Sequence, residues 1–228
     1  MGTSSSEQVT LLTDYDATSA YSIAYHTLYA NIRFDWDNEH SQSHTLLFTT
    51  PTDYPGRSVI AANTAIAAAQ SGISTVLIDA DLHEPGLQQR FALSKTSGLS
   101  NLLTRDIITP SAVIADLNQT FIPGLSLISA GTAQLEPHEA SRLLAAKLPD
   151  VLTSLFQIIA EIEDRPSLII FNSPPVLTGI DAAQISTLVE QTFLVIASGR
   201  TTRTQARRAQ EQLQRAHAKL TGIIMLNA

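Results

Sequence analysis

Pro51-Thr52-Asp53-Tyr54-Pro55-Gly56-Arg57-Ser58 sets a glycine, a cation and a hydroxyl in succession, directly ahead of a long alanine-rich stretch, Val59 to Gln70. An apolar run, Thr45 to Thr50, precedes it, so the segment reads strand, tight loop, helix. A helix opening after such a loop turns unpaired N–H groups and the positive end of its dipole toward the loop, which suits a phosphate. The standard phosphate-loop pattern asks for a glycine five places before Gly56 and a lysine directly after it. Pro51 and Arg57 stand there instead. One helix further on, the run from Ser74 to Ile78 ends in Asp79-Ala80-Asp81, two carboxylates at the end of a buried strand. Taken alone, such a pair serves as well to cap the next turn. A third apolar strand, Leu168-Ile169-Ile170-Phe171, ends in Asn172-Ser173-Pro174-Pro175.

The elements that must position these groups alternate between strand and helix. Tyr21, Tyr25, Leu28 and Ile32 recur at helical spacing between Thr18 and Phe34, with Asp16 or Thr18 as the expected N-cap. That spacing makes Tyr21, Tyr25 and Tyr29 packing residues rather than phosphate acceptors. Gly98 to Leu103 reads as a capped amphipathic turn, Leu125 to Ile128 as a strand, and Glu139–Lys147 and Leu152–Ile162 as two helical stretches. Thr192 to Ile196 is a buried strand, Arg203 to Leu220 a helix, and Gly222 to Asn227 the last strand. The expected architecture is a doubly wound α/β fold with a mostly parallel sheet and the site at the strand carboxyl ends. Residues 1–18 are expected to form a flexible arm and residues 19–228 a single domain.

The three motifs together make the chain resemble the cytoplasmic domain of bacterial tyrosine autokinases, which regulate capsular and extracellular polysaccharide export. Those proteins belong to the deviant phosphate-loop ATPases that include the division-site and plasmid-partition ATPases. Residues 19–228 are covered, with Tyr25 to Phe34, Gly98-Leu99-Ser100, Pro137 to Leu144 and Gly222 to Asn227 falling in family order. The resemblance implies magnesium and ATP or ADP as cofactors, with Gly56, Arg57, Ser58, Asn172 and Asn227 toward the nucleotide and Ser58 and Asp81 toward the metal. It also implies a catalytic role for Asp79 and Asp81, which would contact magnesium through water and activate an incoming tyrosine hydroxyl. Asn227 aligns with an asparagine that reads the adenine ring, a position that strand-end capping explains nearly as well.

The chain departs from that family at atoms that matter. Tyr54 stands for a loop glycine, Pro55 for a glutamate, Arg57 for the lysine, Val59 for a threonine and Asn172 for an aspartate. Tyrosine resists a positive φ, proline has no N–H to donate, and a planar guanidinium does not fit where a compact ammonium is wedged between phosphates. An amide also lacks the charge with which the aspartate helps hold magnesium. Ile23, His26 and Tyr29 occupy the places of a glutamate and two arginines that clasp the next subunit of a ring, so a homo-oligomer is allowed but its contact motif is missing. The last tyrosine in the sequence is Tyr54, so a C-terminal tyrosine cluster is not expected. His83, on the loop after Asp81, is expected to face solvent.

Composition narrows the function further. A formal charge of −7 argues against nucleic-acid or anionic-membrane binding, and no cysteine is present for disulfides, thiolate nucleophiles or zinc–thiolate sites. The six histidines are scattered without ligand spacing, and no hydrolase triad is suggested. No continuous apolar run approaches the roughly 20 residues that cross a bilayer, and residues 1–6 do not resemble a signal peptide. The expected location is cytoplasmic, at most peripheral to the inner membrane through a partner. Arg200, Arg203, Arg207, Arg208, Arg215 and Lys219 make the most basic part of the chain, a solvated face or a contact for an acidic partner. The expected function is a degenerate relative of the autokinases, a non-catalytic or weakly active subunit partnered by a transmembrane polysaccharide co-polymerase or chain-length regulator. An active magnesium- and ATP-dependent tyrosine kinase or ATPase, with Arg57 serving for lysine, is the alternative.

Overall fold

The computed structural model describes residues 11–34, 36, 43–54, 56–94, 97–162 and 167–227. In chain order the elements are α1 (Ala20–Arg33), β1 (Ser43–Thr49), α2 (Ser58–Gln70), β2 (Ser74–Asp79), α3 (Leu87–Arg90), α4 (Leu99–Leu103) and α5 (Pro110–Asp116). They continue with β3 (Asn118–Gln119), β4 (Leu125–Ile128), α6 (Pro137–Ile162), β5 (Ser167–Asn172), α7 (Asp181–Ser186), β6 (Gln191–Ser198), α8 (Arg203–Arg215) and β7 (Leu220–Asn227). The strands form one sheet in the order β3-β4-β2-β5-β1-β6-β7. All pairings are parallel except the short β3–β4 edge. The doubly wound, mostly parallel fold is therefore as expected. β5 lies at the centre with all six residues buried, which explains why its sequence is continuously apolar rather than alternating.

The helices cover both faces. On one side α2 is packed between the sheet and α1, and every residue from Ser58 to Ala69 is buried. Its alanines leave room for Tyr25, Tyr29 and Ile32 of α1 to press in from outside. On the other side α4, α5 and α6 share a second cluster with Leu47, Ile78, Ile169 and Phe171 of the strands. The two helical stretches expected over 139–162 are one helix, α6, with Pro149 inside it. By length and composition α6 is apolar enough to cross a membrane, which the run count missed because charged residues interrupt the run. Here Leu144, Leu148, Val151 and Leu155 are each 1% exposed or less, spent on the core.

The start of α1 differs from expectation. Its N-cap is Ser19, whose Oγ accepts from the Ser22 N–H at 3.1 Å. Asp16 instead closes the preceding turn, accepting from the Thr18 N–H and hydroxyl at 2.8 and 2.6 Å. The expected arm is also partly packed: Leu11 and Leu12 are buried, while residues 1–10 lie outside the described residues. The reason is a single polar side chain. Asn63, fully buried in α2, accepts from the Leu12 N–H at 2.9 Å and donates to the Tyr21 hydroxyl at 2.8 Å, pinning the entering chain and α1 to the same helix.

Asn63→Ala would strand the Leu12 N–H and leave the Tyr21 hydroxyl without its donor. The variant is expected to lose about 1–3 kcal/mol in urea denaturation, with residues 11–15 becoming open to limited proteolysis.

Candidate functional site

Three parallel strands, β1, β2 and β5, end side by side, and every chain segment leaving them turns into the same region. The loop after β1 is tied to the segment after β5, because Val176 and Leu177 donate to the Thr50 and Pro51 carbonyls at 2.8 and 3.1 Å. Gly56 adopts φ +85°, a left-handed conformation that only glycine takes without strain. Ala92 and His217 are the only non-glycine residues with positive φ among those described, so Tyr54 is spared the strain expected of it. It turns inward and is 7% exposed; burial pushes its phenol up from the ordinary value, and its hydroxyl has no partner among the described residues. Pro55 lies outside the described residues.

Arg57 dominates the site. Its Nε donates to Asp81 Oδ2 at 3.2 Å, and Nη2 donates to the same oxygen and to the Glu84 carbonyl at 3.3 Å. Nη1 reaches Asp53 Oδ1, and Glu84 Oε2 at 3.3 Å. The side chains of Arg57 and Asp81 are 11% and 1% exposed. Burial alone would favour the neutral guanidine, but the Asp81 hydrogen bond and the charges of Asp81, Asp53 and Glu84 outweigh it and hold the proton more tightly than usual. The other Asp81 oxygen accepts from the backbone of His83 and Glu84 at 3.3 and 3.0 Å. Thus the carboxylate both caps its own turn and neutralises the loop arginine.

Asp79 is fully buried and equally engaged. Oδ1 accepts from Asn172 Nδ2 at 2.9 Å, and Oδ2 accepts from the Gly86 and Leu87 N–H groups at 3.3 and 3.1 Å, at the start of α3. The β2–β5 register sets Asp79 directly beside Asn172. An aspartate at 172 would face a second carboxylate at that spacing; the amide turns repulsion into a hydrogen bond. Burial still pushes the Asp79 carboxyl up to about 6, against the lowering effect of the Asn172, Leu87 and Gly86 hydrogen bonds. Ser58 accepts from Arg90 Nε at 3.2 Å.

This donor set does not fit a magnesium ion as it stands. Each oxygen of Asp79 and Asp81 already accepts hydrogen bonds, and the Ser58 hydroxyl faces a guanidinium. A hard dication would have to share those oxygens with two arginine cations.

Beside the loop lies a cleft of about 410 Å³ lined by Arg57, Asp81, His83, His138, Ser141 and Asp181 among others. His83 is exposed, as expected, and its Nε2 lies 2.7 Å from Asp181 Oδ2. Asp181 is 2% exposed, and its Oδ1 has no partner among the described residues. Asp181 lies far along the chain and carries no local motif, and His138 and Ser141 fall within the Pro137 to Leu144 stretch without a spacing that points to the cleft. The one available signal was topological: segments following adjacent parallel strands converge on one crevice. Gly56, Arg57, Ser58, Asp79, Asp81 and Asn172 are brought together. Asn227 stands apart, at the end of β7 with β6 between it and β1.

No protein-family model matches the chain. It is 32% identical over 201 residues to the tyrosine-protein kinase YwqD of Bacillus subtilis, covering 88% of this chain and 78% of that protein. The BceF tyrosine kinase domain superposes with a TM-score of 0.74 at 29% identity, over 96% of this chain and 83% of that one. The succinoglycan biosynthesis transport protein ExoP of Rhizobium meliloti is 25% identical over 81% of this chain, which spans 22% of that longer protein.

Asp79 also makes stability depend on pH. The carboxyl titrates near 3.8 in the unfolded chain and near 6 in the folded one, so between those values the folded state binds more protons. Stability therefore falls as pH rises through that window, by at most about 3 kcal/mol. Asp79→Asn, with the Asn172 amide flipped to accept, is expected to remove the fall and to be the more stable protein at pH 7.5, as measured by urea denaturation at a series of pH values.

Proposed function

The chain belongs to the bacterial tyrosine-protein kinase family, and from that premise we propose that it is a non-catalytic or weakly active member, a regulatory, partner-binding subunit of exopolysaccharide or capsule biosynthesis and export. The observation that carries this reading is the buried Arg57–Asp81 pair. Phosphoryl transfer in this fold needs a cation free to meet the phosphates and a carboxylate free to accept the tyrosine proton. In this chain those two groups satisfy each other, with Asp53 and Glu84 closing the remaining guanidinium face. Separating such a pair without replacing it costs several kcal/mol, so nucleotide must outcompete an internal partner before any chemistry begins.

Changes elsewhere agree. Asn172 already satisfies Asp79 in a way that leaves no demand for a metal. At the ring-contact positions, Ile23 is 55% exposed but Tyr29 is only 3% exposed, so the third position is spent on the core. The relation to the succinoglycan biosynthesis transport protein ExoP supports a cytoplasmic location beside a transmembrane co-polymerase or chain-length regulator. The second reading, an active magnesium- and ATP-dependent tyrosine kinase or ATPase, is favoured by the proximity of Ser58, Asp79 and Asp81 to Arg57, and requires the ion pair to open.

Titration calorimetry with magnesium-ADP is expected to give no heat, or affinity weaker than about 100 μM, and incubation with radiolabelled ATP no transfer to the protein. Arg57→Lys combined with Asn172→Asp is expected to restore clear binding. Affinity of the unaltered protein tighter than about 10 μM, with label transfer abolished by Asp81→Ala, would establish the enzyme reading instead.

A further inference from the structure

We propose that the outer edge of β7, together with the arginine row of α8, is a docking surface for an extended segment of another protein in which apolar and acidic residues alternate. The inference is independent of whether the nucleotide site is active.

The two edges of the sheet are built differently. β3 is two residues long and antiparallel, which offers little to pair with. β7 is eight residues long and, among the described residues, pairs only with β6. Its sequence, Leu-Thr-Gly-Ile-Ile-Met-Leu-Asn, contains no charge and no proline, the usual devices that keep an edge strand from recruiting another chain. One face of β7 is settled: Ile224 and Leu226 pack against the core shared by α1 and α2. The other is not. The register sets Ile223 beside Leu194 and Met225 beside Ile196, on the face where α8 lays Ala209 and Leu213 over Leu194. α8 stops short of the edge, leaving Ile223 51% and Met225 68% exposed.

Charge selects the occupant. α8 carries Arg203, Arg207, Arg208 and Arg215, all exposed, against one acid, Glu211, which pairs with Arg207 at 2.9 Å. Four arginines less one glutamate leave an excess of three positive charges in a chain whose formal charge is −7. α8 leaves the carboxyl end of β6 and returns to the start of β7, so Arg203, Arg207 and Arg208 lie toward the Met225 end of the edge and Arg215 toward Leu220. A groove of about 350 Å³ runs among Arg203, Arg207, Arg208 and Glu211. A strand added to β7 gains main-chain hydrogen bonds along the edge, covers Ile223 and Met225 with its apolar side chains, and brings acidic groups to the arginines. A second copy of this chain fits poorly. Two β7 edges paired antiparallel about a twofold axis set both α8 helices on the same face, arginines toward arginines.

The probe is a fluorescein-labelled peptide of about ten residues, a typical strand length at the long end, alternating valine with glutamate and threonine. Its binding is followed by anisotropy, and the amides of β7 by hydrogen exchange. Binding is expected at low salt, with added protection in β7, and at least about tenfold weaker for the same peptide carrying lysine for glutamate. Met225→Glu and the pair Arg207→Glu, Arg208→Glu, all at exposed positions that leave the core untouched, are each expected to weaken binding by about tenfold or more. Equal binding of the two peptides overturns the proposal. So does binding to phosphatidylserine vesicles with none to the peptide, or a dimer in light scattering that Met225→Glu dissolves.

Discussion

A carboxylate with no exposed surface has to be solvated by the protein itself, and at the end of β2 that requirement organises everything nearby. Asp79 draws the first N–H groups of α3 onto one oxygen and the Asn172 amide onto the other. The first contact sets where the chain goes after the loop; the second ties β2 to the central strand β5 at the very point where both end. Asp81, two residues on, repeats the logic with the backbone of its own turn and with Arg57. Neither carboxylate waits for a ligand. The burial of both carboxylates is met by donors within the protein, and the result is a hydrogen-bonded knot at the strand ends.

The exchange of lysine for arginine explains how the knot closes. An ammonium on a flexible stem is one compact charge that a phosphate can claim, whereas a guanidinium presents a planar fork of donors. Arg57 uses that fork to reach Asp81, Asp53 and Glu84 at once. Arg57 and Asn172 are thus complementary: one supplies the cation that the buried Asp81 requires, and the other supplies a donor to the buried Asp79. Arg90, against Ser58, completes the set.

The sheet was legible in the sequence because its parallel strands are buried on both faces and read as short continuous apolar runs ending in polar residues, as β2 and β5 do. The loop, Gly56, Arg57, Ser58 and the two aspartates were legible because they lie at fixed spacings along the chain. What the sequence hid were contacts set by topology. The partner of His83 is Asp181, 98 positions away, and nothing local in either segment points to the other. Tyr54 was expected to be strained and is instead buried, because the loop turns it inward rather than through a positive φ. The periodicity over Glu139–Lys147 and Leu152–Ile162 reads as two helical stretches, yet one helix runs through both and through Pro149, held by a row of leucines on the core side. The N-terminal segment was read from its polarity, which Asn63 overrides with one buried hydrogen bond.

The closure at the strand ends and the opening at the sheet edge are consequences of the same layering. Helices cover the middle of a parallel sheet most completely, so strands β2, β5 and β1 lie in a dry environment where every polar group must find a partner within the protein. Among the described residues the outermost parallel strand has a neighbour on one side only, and α8 reaches only as far as β6 and the near face of β7. An arginine-rich helix bordering an uncharged edge therefore leaves main-chain hydrogen-bonding groups, apolar surface and positive charge adjacent to one another. The strand ends are satisfied from within the protein, whereas the outer edge of β7, among the described residues, leaves its main-chain groups to solvent.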